Sequence, residues 1–137
     1  MRPLQKLIGT WITSGRMLKG EEETADTFTF VDQYAWLPGG HFIAHSVTGE
    51  LGATPLQGLE VIGYDGAVLR ATSYDSAGVV TKYRARLQQR AWSLTGDKER
   101  FKGTFSADGK GLDGTWERRA RGAWQGFMRV TLTRVGD

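Results

Sequence analysis

The chain has 137 residues and no cysteine, enough to bury an ordinary core as one domain over residues 1–137, and disulfide staples and thiolate metal sites are excluded. Its net charge of +3 conceals an asymmetry: residues 1–69 carry 4 basic against 8 acidic side chains, and residues 70–137 carry 14 against 7. No apolar stretch is long enough to span a bilayer, and the opening Met1–Trp11 lacks the apolar run of a signal peptide, so a soluble, cytoplasmic protein is expected, with no membrane partner.

Nineteen glycines and only three prolines punctuate short runs rich in β-branched and aromatic residues, the pattern of many strands joined by tight turns. In chain order, Pro3–Leu7 alone can form a helical turn, with the proline tolerated at its first position, and it is placed to plug one end of the fold. Strands are expected at Gly9–Met17, Asp26–Trp36, His41–Thr48, Leu59–Tyr64, Val68–Tyr74, Val79–Leu87, Ala91–Thr95, Arg100–Ser106, Leu112–Arg119 and Gln125–Arg134. Glu21–Glu23 reads as a solvated loop. Turn signals separate most of the runs: Pro38-Gly39-Gly40, Asp65-Gly66, Ser76-Ala77-Gly78, Gly96-Asp97 and Ala107-Asp108-Gly109. Short strands at hairpin spacing with almost no helix predict an all-β fold. Its form is a single antiparallel up-and-down barrel of about ten strands, closed so that no edge is exposed.

The triplet Gly-Thr-Trp at Gly9–Trp11 and Gly114–Trp116, with Gly-Thr-Phe at Gly103–Phe105, places a glycine and an aromatic on one face of a strand. A strand glycine marks a bend or a close approach, and the aromatic two residues on is expected to fill the space it leaves.

With Leu7-Ile8-Gly9-Thr10-Trp11, the chain is similar at its first strand to the Gly-x-Trp opening of the lipocalin-like (calycin) barrels. Trp36-Leu-Pro-Gly-Gly-His-Phe42, Ile62-Gly-Tyr-Asp65 and the closing Val130–Arg134 sharpen the likeness. Together they resemble an uncharacterised, mostly bacterial family of single-domain lipocalin-like proteins of unknown function, over about Leu4 to Arg134. The resemblance implies a lipocalin or fatty-acid-binding-protein-like barrel, and no particular activity. Relatives of this kind carry fatty acids, retinoids or haem, and a few are enzymes. The haem-binding branch uses a histidine near its C-terminal end, and this chain has none after His45.

A Pro-Gly turn registers the hairpin around Pro38 as Trp36–His41, Tyr34–Ile43, Asp32–His45, Phe30–Val47 and Phe28–Gly49, whether the loop has two residues or four. The face with Phe28, Phe30, Tyr34, Trp36, Ile43 and Val47 is the more apolar and should point inward, carrying Asp32, His41 and His45 with it. Along Val79–Leu87, Lys82, Arg84 and Arg86 share one parity, and Val79, Thr81, Tyr83, Ala85 and Leu87 the inward one. On Val68–Tyr74 either face could point in. Leu69-Ala71-Ser73 is preferred because it leaves Arg70 in water, whereas the other choice would offer Arg70 to clamp a ligand carboxylate.

His41 and His45 would be half a metal site on a helix. On a strand they lie about 13 Å apart and cannot share a metal, so no metal site and no cofactor are expected. The expected function is non-enzymatic binding of a small, largely apolar molecule inside the barrel. Trp11, Phe30, Tyr34, Trp36, Ile43 and Tyr83 supply contact area, with Asp32, His41 and His45 as orienting groups. The alternative is a small-molecule enzyme using His45 and Asp32 as an acid–base pair, for which no nucleophile is marked. A second alternative is an interaction module using Arg118, Arg119 and Arg121. Nucleic acid is disfavoured as a partner because the other basic residues are spaced singly along strands. A homodimer stays open.

Overall fold

Ten strands form, and each hydrogen-bonds to its neighbours in sequence until the last returns to the first. The computed structural model describes residues 3–137; Met1 and Arg2, part of the expected domain and of the leader reading, lie outside the described residues. After a 3-10 turn at Pro3–Leu7 come β1 (Gly9–Lys19), β2 (Glu22–Trp36), β3 (Phe42–Leu51), β4 (Thr54–Asp65) and β5 (Val68–Asp75). Then follow β6 (Val80–Gln88), β7 (Ala91–Thr95), β8 (Glu99–Phe105), β9 (Gly111–Ala120) and β10 (Ala123–Gly136). Every pairing is antiparallel, and β10 closes the barrel against β1 through Trp11↔Arg134 to Met17↔Met128. No helix among the described residues is long and apolar enough to cross a membrane.

Several strands extend past their expected ends, β2 and β4 furthest. Glu22 and Glu23, expected in a loop, begin β2 opposite Lys19 and Leu18. The chain turns at Gly20, which takes φ 66° as a two-residue hairpin requires. Strand β4 begins at Thr54, not Leu59, and includes Pro55. At that point β4 is paired only with β3, since its ladder to β5 starts at Gly58, so the missing proline N–H breaks no central ladder. Val79, expected to face inward, is exposed and lies just before β6.

The β2–β3 register differs from the expected one by two residues. Trp36 faces Ile43, Tyr34 faces His45, Asp32 faces Val47 and Phe30 faces Gly49. The turn is a four-residue loop from Pro38 to His41, closed by the Leu37 N–H donating to the Phe42 carbonyl at 2.8 Å. Gly39 and Gly40 both take positive φ (96° and 72°), which lets the loop run on to His41, past the end of either expected loop. His41 therefore lies in the turn, exposed, and not on the inward face opposite Trp36. An even shift preserves parity, so the inward set keeps its face: Phe28, Asp32, Tyr34, Ile43 and His45 are all buried.

One end of the barrel is sealed. Leu4 and Leu7 of the 3-10 turn are buried, and the Trp11 indole donates to the Leu7 carbonyl at 2.9 Å. The Arg134 guanidinium lies 4.3 Å from the centre of the Trp11 ring. It donates to the Ile8 carbonyl and, at 2.6 Å, to that of Lys6. Phe105, Ile43, Ile62 and Ala71 complete this packed end. The strand glycines work differently from the expectation at Gly-Thr-Phe. Gly103 and Gly114 face each other across β8–β9, and the ring covering both is Phe101, two residues before Gly103 and not after it.

Candidate functional site

Above the packed end the barrel holds a cavity of about 410 Å³. Its walls are aromatic on several strands: Phe28, Phe30 and Tyr34 from β2, Tyr83 from β6, Trp92 from β7, Phe101 and Trp116 from β8 and β9. Gln57, Leu59, Tyr74 and Asp75 line it too and are solvent-exposed, which puts the mouth at the β3–β4 and β5–β6 end. Strand β5 presents Leu69, Ala71 and Ser73 inward, and Arg70 points out, 3.5 Å from Asp65.

Three neighbouring strands each place one ionisable side chain on this wall. His45 of β3 stands opposite Glu60 of β4 and diagonal to Asp32 of β2. Its Nε2 lies 2.7 Å from Asp32 Oδ2 and its Nδ1 lies 3.0 Å from Glu60 Oε1. Thr13 of β1 donates to the other Asp32 oxygen at 2.6 Å. A carboxylate oxygen only accepts, so holding both contacts requires both ring nitrogens to carry protons. His45 is thus an imidazolium clamped between two carboxylates. Burial alone would lower its pKa, but the hydrogen bonds to Asp32 and Glu60 and their charges outweigh it and push the value up to about 9.

The Tyr34 ring stacks on the imidazolium, with centroids 3.8 Å apart and planes 11° from parallel. Burial, then the Asp32 and Glu60 charges, raises its phenol well above the ordinary tyrosine range. Tyr83 is raised likewise, by burial and then by Glu99 and Glu60. Both phenols therefore stay neutral donors and acceptors. No group of three or more His, Cys, Asp or Glu among the described residues could hold a metal ion.

Of the residues singled out from the sequence, Phe30, Asp32, Tyr34, His45 and Tyr83 line the cavity. Trp11 and Ile43 are buried, 1% and 0% exposed, in the packed end and do not line it. Trp36 and His41 lie outside it, around a depression beside the 3-10 turn, where the Trp36 indole donates to Gln5 at 2.9 Å. Arg118, Arg119 and Arg121 are exposed on and beside β9, with Arg118 stacked on Phe127 and Arg119 on Trp124. The sequence reading overlooked Glu60, Thr13 and Glu99. The signal for Glu60 was the two-residue turn Gly52-Ala53, with Gly52 at φ 64°, which registers Leu51 against Thr54 and so His45 against Glu60.

A family described as proteins of unknown function (DUF1579) matches residues 2–121. No curated protein matches the chain significantly. Among solved structures, the crystal structure of Rv2717c from M. tuberculosis is similar with a TM-score of 0.67 at 14% identity, covering 98% of each chain. A fluorescence-activating β-barrel designed de novo has a TM-score of 0.51 at 13% identity, over 98% of this chain and 100% of the design. At such identities the likeness is one of fold.

Proposed function

Since the chain belongs to the DUF1579 family, whose description carries no activity, we propose a function from the cavity: reversible, non-enzymatic binding of a small molecule with a largely apolar body. The observation that carries this reading is the cavity of about 410 Å³, walled by aromatic rings around one set of fixed polar groups. Small-molecule sites combine those two elements, one for contact area and one for orientation. The Gly9-x-Trp11 opening, which resembles that of lipocalin-like carriers, supports the same reading. Rigid backing favours binding too, because the orienting groups are already bonded to one another and lose little freedom when a ligand arrives.

A catalytic reading of the Asp32–His45 pair meets a specific obstacle. A general base needs an unprotonated nitrogen within reach of substrate. Both His45 nitrogens are engaged by carboxylates, and the chain has no cysteine to serve as nucleophile.

Native mass spectrometry of the protein from its own host tests the proposal. The expected result is a non-covalent adduct that leaves on denaturation and reappears unchanged in the extract. An empty barrel that also fails to take up an apolar fluorophore from solution overturns it.

A further inference from the structure

We propose that the ligand is an organic monocation: an apolar or aromatic body bearing one protonated amine, which docks against Glu60. The inference rests on the binding function proposed above and specifies the chemistry of the molecule held.

The cavity lining carries four carboxylates, Asp32, Glu60, Asp75 and Glu99, and among the described residues no lysine or arginine lines it. Among the described lining residues the one balancing charge is the His45 imidazolium, so Asp32, His45 and Glu60 together keep one negative charge. Glu99, hydrogen-bonded to Tyr83, and Asp75 at the mouth add two more, and no ion pair to either forms among the described residues. An electronegative interior of low polarity favours a cation and disfavours an anion.

Two polar atoms there lack partners. Glu60 uses Oε1 on His45, and no described residue bonds its Oε2. Tyr34 is 8% exposed, and no described residue bonds its phenol oxygen. No fully enclosed side-chain nitrogen or oxygen among the described residues is left unpaired, so both of these oxygens must reach open cavity space. Glu60 itself is only 7% exposed. A carboxylate oxygen held there can accept but not donate, so it calls for a donor, and a charged donor satisfies it best. An ammonium brings three N–H groups to these two acceptors. Elsewhere on the lining, the rings of Phe30, Tyr83, Phe101 and Trp116 supply aromatic surface for the positive charge and the apolar body.

The same features disfavour the fatty acids carried by some barrels of this general type. A bound carboxylate would face like charges with no cation to meet it. Arg70, the one arginine on β5 that could have turned inward, is outside and 48% exposed.

The experiment uses three probes with one body, 2-naphthylmethylamine, 2-naphthalenemethanol and 2-naphthoic acid, titrated at neutral pH by calorimetry with wild type and Glu60→Gln. The amine should bind about tenfold or more tighter than the alcohol, and the acid weakest. The glutamine keeps an acceptor for His45 but loses the charge, so it should erase most of the amine's advantage over the alcohol. Should Glu60→Gln fail to fold, Glu99→Gln and the wild-type ranking of the three probes still decide the question. An acid that binds as well as the amine overturns the monocation, as does an amine preference untouched in both variants, and in either case the binding function stands. Failure of all three probes to bind overturns that function and this inference together.

Discussion

Tyr34 and His45 sit opposite each other on the β2–β3 ladder, and their rings stack at 3.8 Å because His45 is held edge-on by Asp32 and Glu60. The stack covers one face of an imidazolium, and the carboxylates fix both of its nitrogens. His45 is therefore the residue whose charge state the surrounding structure depends on most directly.

The pH dependence follows from that charge. His45 titrates near 6.5 when unfolded and at about 9 when folded, so the folded state binds the proton more tightly. Its stabilisation is present in full below about pH 6.5, declines as pH rises through the folded value, and is gone above it. The span corresponds to roughly 3 kcal/mol. Urea midpoints should fall between about pH 6.5 and pH 9.5, and the His45 ring resonances should still report the protonated form at about pH 8.

Replacing His45 with phenylalanine keeps an aromatic for Tyr34 to stack on but leaves Asp32 and Glu60 buried with no cation between them. The expected loss is about 3–5 kcal/mol, measured by chemical denaturation at neutral pH. Adding Asp32→Asn and Glu60→Gln to that variant should recover part of it, because the cost lies in the uncompensated charges. A triple variant no more stable than the single one would place the cost in lost packing instead.

What could be read from the sequence here divides along a physical line. Which face of β2 and β3 points inward was legible, because alternation depends only on parity and the two-residue slip in the Pro38–His41 turn preserves it. Direct partners were not legible, because they depend on where the loop begins and ends, and two glycines with positive φ carry it on to His41. Asp32 and His45 still meet because a diagonal pair lies within reach of an imidazole. Glu60 stayed hidden for a different reason: it sits between Leu59 and Val61 with no polar alternation to mark it, and the strand bearing it begins five residues before Leu59. The wall from β7 to β10 was equally hidden, since Trp92, Phe101 and Trp116 carry no sign of whether they fill space or border it.

Gly114 tests the packing that shapes the cavity floor. A Cβ there would lie 2.7 Å from the Lys102 carbonyl oxygen and overlap the Phe101 ring, which has no room to retreat because Gly103 sits beneath it as well. Gly114→Ala should destabilise by about 1–3 kcal/mol, seen as a lower thermal midpoint. Gly122→Ala is the contrast: its Cβ meets nothing, but its φ of 80° makes any loss one of backbone strain that leaves the Phe101 environment unaltered by NMR.

Arg134 should matter for the sealed end and not for the cavity. Its guanidinium covers Trp11 and satisfies the Lys6 and Ile8 carbonyls at once, a planar, multi-donor arrangement that an ammonium cannot reproduce. Arg134→Lys should therefore cost about 1–2 kcal/mol and raise the proteolytic sensitivity of the N-terminal turn. Binding of the naphthyl probes should be unchanged, since neither Arg134 nor Trp11 lines the cavity.

Ser73 separates a cavity kept open for a ligand from a flaw in packing. It is half-buried, lines the void from β5, and stands across the ladder from Glu60. A phenylalanine there would enter empty space, unlike one forced into a filled core, so the usual penalty for overpacking should not apply. Each apolar side chain buried in such a space contributes about 1.5–3 kcal/mol relative to its exposed state. Ser73→Phe should thus keep or raise the thermal midpoint while abolishing uptake of the naphthyl amine and loss-on-denaturation of any co-purified molecule. Stability and binding then move in opposite directions, as they must if the void is maintained at a cost to the fold. A variant that loses stability and binding together would instead mean that the wall around Ser73 is already packed.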